Sequence, residues 1–372
     1  MSFSTLANAW QSFDFEACFE SVQPSDVQEV LDRAESQTHL EPRDLLVLLS
    51  PAARDLLEPM ARTARDLTCQ HFGRTIGLYA PMYISDFCCN HCTYCGFNAK
   101  ARFPRTRLTL DEIDTEARAI ADTGIRHILI LTGESPDKTP LSFLEDTCRI
   151  MSRYFSSIAL EVFPMTEPDY RVLRQAGADS LTVYQEVYDQ AVYKTVHPRG
   201  PKSDYFFRLL TPERAAAAGF RAVNIGPLFG LGDPTSEAFM AGLHARYLEQ
   251  ACPDVEVSLS LPRMTRAGSA IAPRHLLPDR QFVQTLLAWR LFMPRVGITV
   301  STRESAAFRD RLIPLGVTRY SAGSRTDVGG YAVHAARNTV QFEVTDTRSV
   351  DEVAAMIRHS GYQPVFKDWE RF

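Results

Sequence analysis

The stretch TIGLYAPMYISDFCCNHCTYCGF, residues 75–97, decides both the fold and the chemistry of this chain. Its first part, residues 75–85, is an apolar run of the kind that forms a buried strand. Directly after that run, Cys88, Cys92 and Cys95 have the spacing CxxxCxxC. The first strand-to-helix turn therefore carries thiols, where an open doubly wound sheet would carry a glycine-rich phosphate loop.

Seven further apolar or β-branched runs follow, each separated from the previous one by a segment long enough for a helix. They are HILILTG, IALEVFP, SLTVYQE, AVNIGPLFG, VEVSLSLP, GITVST and VTRYSAG. Strands that alternate with helices predict parallel pairing through right-handed crossovers. Eight such units predict an α/β fold of the (β/α)8 TIM-barrel type, and a doubly wound sheet is the alternative.

Helical segments precede and follow the predicted barrel. Capping-box pairs predict helix starts at Ser25 with Gln28, Thr109 with Glu112, and Ser349 with Glu352. The last of these opens a closing helix that is followed by an aromatic-rich, ordered tail. We therefore expect a helical N-terminal extension at residues 1–72, the barrel at 73–330 and a C-terminal closing segment at 331–372.

Composition narrows the class of protein. The 372 residues are 45% hydrophobic with a net charge of −5, which gives a large core and no basic surface for nucleic acid. No apolar run is long enough to span a membrane, and the amino-terminal residues lack the charged and apolar segments of an export signal. The expected location is the cytoplasm, where thiols stay reduced.

The three spaced cysteines predict an iron–sulfur site. Three thiolates on a four-iron cluster leave one iron without a protein ligand, so a small molecule can coordinate there. Cys89 allows a second spacing, CxxCxxC, but the fourth cysteine and proline of a ferredoxin run are replaced by Ala99 and Lys100. A zinc site would need a second ligand pair, and none follows at a suitable distance.

Polar residues stand where the predicted strands end. Because barrel active sites form at the carboxyl ends of the strands, these residues are candidates for the site. They are Glu134, Glu161, Gln185, Glu186, Ser301, Arg303 and Ser321.

The cysteine motif after a first barrel strand resembles the radical S-adenosylmethionine (SAM) superfamily. The resemblance implies a [4Fe-4S] cluster on Cys88, Cys92 and Cys95 with SAM on the open iron. It further implies that Tyr94 packs on the adenine of SAM, that Gly133 and Glu134 bind the methionine amino group, and that Glu161 holds the ribose hydroxyls.

Longer strings narrow the resemblance to the tyrosine lyases of this superfamily. They are YISDFCCNHCTYCGFNAK, LILTGES, LEVFPMTEPDY, VYQEVY, STRESAAFRDR and SAGSRT. Among these enzymes, the chain most resembles the tyrosine lyases that act in thiamine biosynthesis. This resemblance implies cleavage of the Cα–Cβ bond of L-tyrosine to 2-iminoacetate and p-cresol. A tryptophan lyase and a hydrogenase-maturation tyrosine lyase are alternatives, although the latter carries an extra cysteine-ligated cluster and no cysteine here follows Cys252. An iron–sulfur electron carrier is the alternative from another class.

A zwitterionic substrate needs a cation for its carboxylate, and a guanidinium binds one with two parallel hydrogen bonds. We assign this role to Arg303, with Ser321 adding a hydrogen bond. The alternative is a surface arginine paired with Glu304 or Asp310. Gln185 and Glu186 are expected to orient the substrate or the methionine half of SAM.

Two protein partners are implied by the same resemblance. An electron donor such as flavodoxin or ferredoxin would reduce the cluster, and the basic group Lys100, Arg102, Arg105 and Arg107 offers it a docking face or is simply a solvated surface. The imine would pass to a thiazole synthase, since it hydrolyses in water.

Overall fold

Eight parallel strands form a closed barrel. The structure is a computed structural model that describes residues 2–264, 271–333 and 341–370. The strands are β1 (Thr75–Ser85), β2 (His127–Thr132), β3 (Ser157–Glu161), β4 (Ser180–Glu186), β5 (Ala222–Pro227), β6 (Glu256–Ser260), β7 (Gly297–Val300) and β8 (Arg319–Ser321). Each strand pairs in parallel with the next, and β1 pairs with both β2 and β8. The predicted (β/α)8 barrel is confirmed, and the doubly wound alternative is wrong.

Helices surround the barrel and precede it. Five come first: α1 (Phe3–Trp10), α2 (Phe15–Glu20), α3 (Pro24–Glu35), α4 (Pro42–Leu49) and α5 (Leu57–Phe72). The others are α6 (Leu110–Ala121), α7 (Leu141–Met151), α8 (Glu167–Ala176), α9 (Gln190–Val196), α10 (Tyr205–Leu209), α11 (Thr211–Ala217), α12 (Pro234–Ala251), α13 (Asp279–Phe292), α14 (Ala306–Leu312) and α15 (Val350–His359). Among the described residues, no helix is both long and apolar enough to cross a membrane.

Two of the three predicted capping boxes are present. Thr109 with Glu112 starts α6, and Ser349 with Glu352 starts α15. The box predicted at Ser25 and Gln28 is wrong, because α3 begins two residues earlier, with Gln23 as its cap. Pro24 explains the shift: its fixed φ and missing N–H favour the first helical position.

The amino-terminal helices pack directly on the barrel. Helices α4 and α5 lie against α12 and α13, and the side chain of Gln284 donates to the carbonyls of Leu48 and Ser50. Phe3 stacks on His244 with 4.1 Å between ring centroids. The proposed boundary after residue 72 coincides with the end of α5, and the division into three parts remains a proposal.

The carboxy-terminal segment adds a ninth strand that the sequence did not predict. After α15, β9 (Gln363–Val365) pairs in parallel with residues 75–77 of β1. Pairing of β1 with β2 starts only at Ala80, so β9 covers an edge of β1 that β2 leaves open. Asp368 then contacts His127 at 2.8 Å, and residues 371 and 372 of the predicted tail lie outside the described residues.

Candidate active site

The cysteine loop lies at the carboxyl end of β1 and is held by two neighbouring loops. From the loop after β2, Glu134 accepts the backbone N–H of Cys89 at 2.8 Å. From the segment after α9, the carbonyls of Val196 and Arg199 accept the N–H groups of Thr93 and His91. Backbone hydrogen bonds therefore fix the loop at the barrel mouth.

The thiols of this loop have the burial and chemistry of cluster ligands. Cys92 is buried, Cys88 and Cys95 are half-buried, Cys89 is exposed, and all four are free thiols. Burial raises the pKa of the Cys92 thiol to about 12 and also raises that of Cys95, with mutual repulsion among the three spaced cysteines adding to the effect. Thiolates in these positions need a cation to stabilise them, which fits an iron cluster held by Cys88, Cys92 and Cys95. Among the described residues, no three Asp, Glu, His or Cys side chains lie close enough together to bind a single metal ion.

Gly133 brings the loop after β2 into backbone contact with the cysteine loop. A Cβ atom at this position would lie 2.3 Å from the carbonyl oxygen of Phe87 and 3.1 Å from the Cβ of Cys88. The next residue, Glu134, accepts the side-chain N–H of Asn90 at 2.5 Å. The predicted pair Gly133 and Glu134 therefore lies beside the first predicted ligand.

A cavity opens beside the cysteine loop. It contains five of the predicted site residues together: Tyr94, Cys95, Glu161, Glu186 and Arg303. Tyr184, Lys202, Leu228, Pro262, Met264, Gln341 and Phe342 complete its lining. A separate cavity in the amino-terminal half of the barrel is lined by Ser157, Ser180, Ser258 and Thr299 and contains none of the predicted cysteines.

Tyr94 is fixed by a buried histidine. Its hydroxyl lies 2.9 Å from Nε2 of His197, and Nδ1 of the same ring lies 3.0 Å from the carbonyl of Tyr193. Burial lowers the pKa of His197 to about 3, so the ring is neutral. With Nδ1–H donating to the carbonyl, Nε2 accepts the Tyr94 hydroxyl and holds its ring at the cavity wall.

Glu186 forms a buried charge cluster with two cations that the sequence analysis missed. The Nζ of Lys202 lies 2.6 Å from its carboxylate and Nη2 of Arg208 lies 3.5 Å away. Burial disfavours the ionised carboxylate, but these two cations outweigh burial and lower its pKa. Lys202 and Arg208 follow no strand end, so the rule that selected the other candidates did not find them.

Glu186, unlike its neighbour Gln185, lines the cavity. The pairing of β4 with β5 shifts register between Tyr184 and Glu186, and Glu186 has a φ of +72°. Tyr184 lines the same cavity, so Glu186 keeps the inward face that strand alternation gives it despite this distortion. Gln185 is buried elsewhere, and among the described residues its side-chain amide has no hydrogen-bond partner.

Glu161 ends β3 and faces the same cavity. Burial and the negative charge of Glu186 raise its pKa to about 7, against the opposing effect of Arg303, Arg208 and Lys202. Its carboxyl group can therefore exist in either protonation state near neutral pH.

Arg303 lines the cavity and stacks on Phe342, with Cζ 3.5 Å from the ring centroid. Its two suggested surface partners are occupied: Glu304 pairs with Arg263, and Asp310 pairs with Arg348. The alternative that Arg303 pairs with either of them is therefore wrong, and in the described part of the chain its guanidinium forms no salt bridge.

Ser321 stands behind Arg303, outside the set of residues that line the cavity. It is buried, and its hydroxyl accepts the backbone N–H of Thr302 at 3.0 Å. The predicted hydrogen bond from Ser321 to a substrate stays a prediction. The contact that is present fixes the backbone immediately before Arg303.

Comparison with known proteins identifies the class. Residues 82–240 match the family model for the radical SAM superfamily, and residues 260–363 match that for the biotin and thiamin synthesis associated domain. The chain is thus a radical SAM enzyme, a class that uses an iron–sulfur cluster and SAM.

The relatives identify the family within that class. The chain is 38% identical to 2-iminoacetate synthase of Escherichia coli (strain K12) over 369 residues, which are 99% of this chain and 97% of that protein. It is 37% identical to the Salmonella typhimurium 2-iminoacetate synthase, over 98% of this chain and 97% of that protein. The chain belongs to the 2-iminoacetate synthase family of radical SAM carbon–carbon lyases.

A solved structure agrees with this fold. The FeFe-hydrogenase maturase HydG from Carboxydothermus hydrogenoformans aligns with a TM-score of 0.90 and 30% sequence identity, over 99% of this chain and 86% of that one.

Proposed function

We propose that this enzyme cleaves the Cα–Cβ bond of L-tyrosine to give 2-iminoacetate and p-cresol, and so supplies the imine for thiazole formation in thiamine biosynthesis. The observation that carries the proposal is the position of Arg303, an arginine without an acidic partner among the described residues, in the same cavity as Cys95. The 2-iminoacetate synthases of Escherichia coli and Salmonella typhimurium match this chain along nearly their whole length.

Three residues would hold the cluster, and their neighbours would hold SAM. Cys88, Cys92 and Cys95 would hold a [4Fe-4S] cluster, which with SAM bound would supply a 5′-deoxyadenosyl radical able to take a hydrogen atom from the substrate amino group. Glu134 is placed to accept the methionine amino group, since its carboxylate lies beside the cysteine loop. Gly133 allows that approach.

The rest of SAM would be held by residues in and around the cavity. Lys202 and Arg208 together carry one more charge than Glu186 neutralises, and this surplus suits the methionine carboxylate. The Tyr94 ring, fixed by His197, offers a flat surface for adenine. Glu161 is the acid available to the ribose hydroxyls.

Arg303 would bind the tyrosine carboxylate. Stacking on Phe342 fixes the plane of its guanidinium, so two parallel N–H groups can meet the two carboxylate oxygens with little further loss of side-chain freedom. Ser321 supports this arrangement through Thr302. A substrate anchored in this way keeps its amino group inside the cavity and away from bulk water.

The partners are proposed on chemical grounds. An electron donor such as flavodoxin or ferredoxin would dock near the cysteine loop, where Lys100, Arg102 and Arg107 are exposed. Arg105 does not belong to this docking face, because its guanidinium donates to backbone carbonyls. The imine product, which water hydrolyses, would pass directly to a thiazole synthase.

The test is an anaerobic turnover of the reconstituted enzyme with L-tyrosine, assaying p-cresol and 5′-deoxyadenosine in the same sample. We expect both products in comparable amounts with tyrosine, and no indole-type product with tryptophan as the control substrate. Tryptophan cleavage without p-cresol formation would assign the chain to a tryptophan lyase. An electron-resonance signal of the reduced cluster that does not change on addition of SAM would exclude radical SAM chemistry.

The similarity to a hydrogenase maturase favours one second candidate, a tyrosine lyase of hydrogenase maturation. That role would require a further cluster, which raises the iron content of the reconstituted chain above about four atoms. Iron analysis therefore separates the two readings.

A further inference from the structure

We propose that Arg105 is a positioning residue that closes the cysteine loop around its cluster. The inference rests on the proposed assignment of Cys88, Cys92 and Cys95 as cluster ligands, and it concerns a residue ten positions after the last of them.

The guanidinium of Arg105 bonds to both sides of the cysteine motif. Its Nη1 donates to the carbonyl of Asp86 at 2.5 Å and to that of Phe97 at 2.8 Å. Its Nη2 donates to the carbonyl of Asn98 at 2.6 Å, with a longer contact of 3.4 Å to Ala101. Asp86 lies two residues before Cys88, and Phe97 lies two residues after Cys95, so one side chain joins the two ends of the motif.

The base of the loop is closed by a second set of contacts. The backbone N–H of Thr106 donates to the Asp86 carboxylate at 2.6 Å, and the N–H of Asp86 donates to the Thr106 carbonyl at 3.1 Å. Arg105 is thereby held next to the carbonyls that it bonds. Its guanidinium also stacks on Phe103, with Cζ 4.1 Å from the ring centroid, which restricts its rotation.

A lysine can reproduce only part of these contacts. Nη1 of Arg105 bonds the carbonyls on both sides of the motif while Nη2, a second nitrogen in the same rigid plane, bonds Asn98. The single nitrogen of an ammonium, on a shorter side chain, cannot occupy both positions at once. The loop between the bonded carbonyls contains all three proposed ligands and has little regular secondary structure of its own. The spacing of the ligand sulfurs therefore depends on this bridge. Residues that bind a metal generally depend in this way on the neighbouring groups that orient them.

The experiment compares wild type with Arg105→Lys and Arg105→Gln, and uses Arg102→Gln as the matched control because Arg102 is an exposed arginine of the same segment. Each protein is reconstituted anaerobically, and the rate of iron loss to a chelator is followed by the visible absorbance of the cluster. We expect loss about 10- to 100-fold faster in both Arg105 variants and unchanged in the control. The electron-resonance spectrum of any retained cluster should also broaden in the variants.

Two further measurements keep the outcomes distinct. The melting temperature of the metal-free proteins shows whether the variants fold, and addition of guanidinium ions at millimolar concentration to Arg105→Gln should slow the loss of iron. Iron retention equal to wild type in folded Arg105→Lys and Arg105→Gln overturns the proposal. A wild-type chain that binds no iron–sulfur cluster overturns instead the proposed function on which it rests.

Discussion

The side-chain amide of Gln341 lies 3.8 Å from the sulfur of Cys95, although 246 positions separate the two residues in the sequence. The other end of the same amide accepts the hydroxyl of Tyr83 at 2.7 Å. The carboxy-terminal segment therefore reaches across the barrel mouth and contacts a proposed cluster ligand directly.

Replacing Gln341 should lower the reduction potential of the cluster. An N–H donor to a ligand sulfur favours the more negative, reduced state, so Gln341→Met removes this stabilisation while keeping the length of the side chain. For a hydrogen bond worth about 1 kcal/mol, we expect a decrease of about 40 mV in a spectroscopic redox titration. Gln363→Met, an exposed change on β9, should leave the potential as in wild type. An unchanged potential in Gln341→Met would contradict the role of the contact.

Gly133→Ala should weaken SAM binding. The new methyl group would overlap the carbonyl oxygen of Phe87, a backbone atom, so the loop after β2 and the cysteine loop must separate. We expect at least a tenfold weaker affinity for SAM by equilibrium dialysis, together with a loss of about 1–3 kcal/mol in stability. Gly77→Ala is the matched control, because the nearest contact of its Cβ, with Arg319, is 3.5 Å. Equal SAM affinity in the two variants would refute this reading of the turn.

Arg303→Ala should weaken tyrosine binding while slow, uncoupled cleavage of SAM persists. Loss of a charge-assisted bidentate contact costs about 2 kcal/mol or more, which is about 30-fold in affinity. Arg303→Lys should recover only part of the lost affinity, because an ammonium does not reproduce the two parallel N–H donors of a planar guanidinium. Calorimetric titration with tyrosine measures the effect, and Arg311→Ala, an exposed arginine on α14, serves as the control. Tight tyrosine binding by Arg303→Ala would remove its assigned role.

Glu161→Gln should flatten the pH dependence of stability in the metal-free protein. Because the folded-state pKa of Glu161 is raised from 4.5 to about 7, its contribution to stability is complete below about pH 4.5 and is lost as the pH rises through 7. Over this window, wild type should lose about 2 kcal/mol more unfolding free energy than the glutamine variant. Urea unfolding at pH 5 and at pH 7.5 measures the difference, and parallel pH profiles would be the contrary result.

Asp346→Ala should strongly destabilise the fold, whereas Asp55→Ala should not. Asp346 and Arg309 form a fully buried ion pair, and Arg309 also donates to the carbonyl of Ser321 at 2.5 Å. Leaving Arg309 buried without its partner costs about 3–5 kcal/mol. Asp55 pairs with Arg280 on the surface with 93% of its side chain exposed, and such a pair contributes at most about 1 kcal/mol. Denaturant midpoints compare the two, and equal losses would contradict the argument.

Local sequence predicted those parts of the structure that depend on local interactions. The eight apolar runs became β1 to β8, and the boxes at Thr109 and Ser349 began α6 and α15, because strand burial and helix caps involve residues close in sequence. Strand β9 was missed because three residues, Gln363 to Val365, carry no periodic pattern. It forms only where β1 extends beyond β2.

The residues of the candidate site were likewise predicted only in part. The rule that barrel chemistry gathers at strand ends selected Glu161, Glu186 and Arg303, all of which line the cavity. It selected Gln185 as well, because it considered only position at a strand end and not alternation, which turns Gln185 away from the face shared by Tyr184 and Glu186. It missed Lys202, which reaches Glu186 from the loop after α9.

By itself, the sequence determined the strand and helix order, the three spaced thiols and the candidates at the strand ends, because each depends on residue type and on spacing along the chain. Only the tertiary structure decided which side chains share the cavity, that Glu304 and Asp310 pair with arginines other than Arg303, and that Gln341 and Lys202 contact Cys95 and Glu186. The physical reason is that closing the barrel brings loops from distant parts of the chain to one mouth, where distance in space and loss of water set the charges and the contacts.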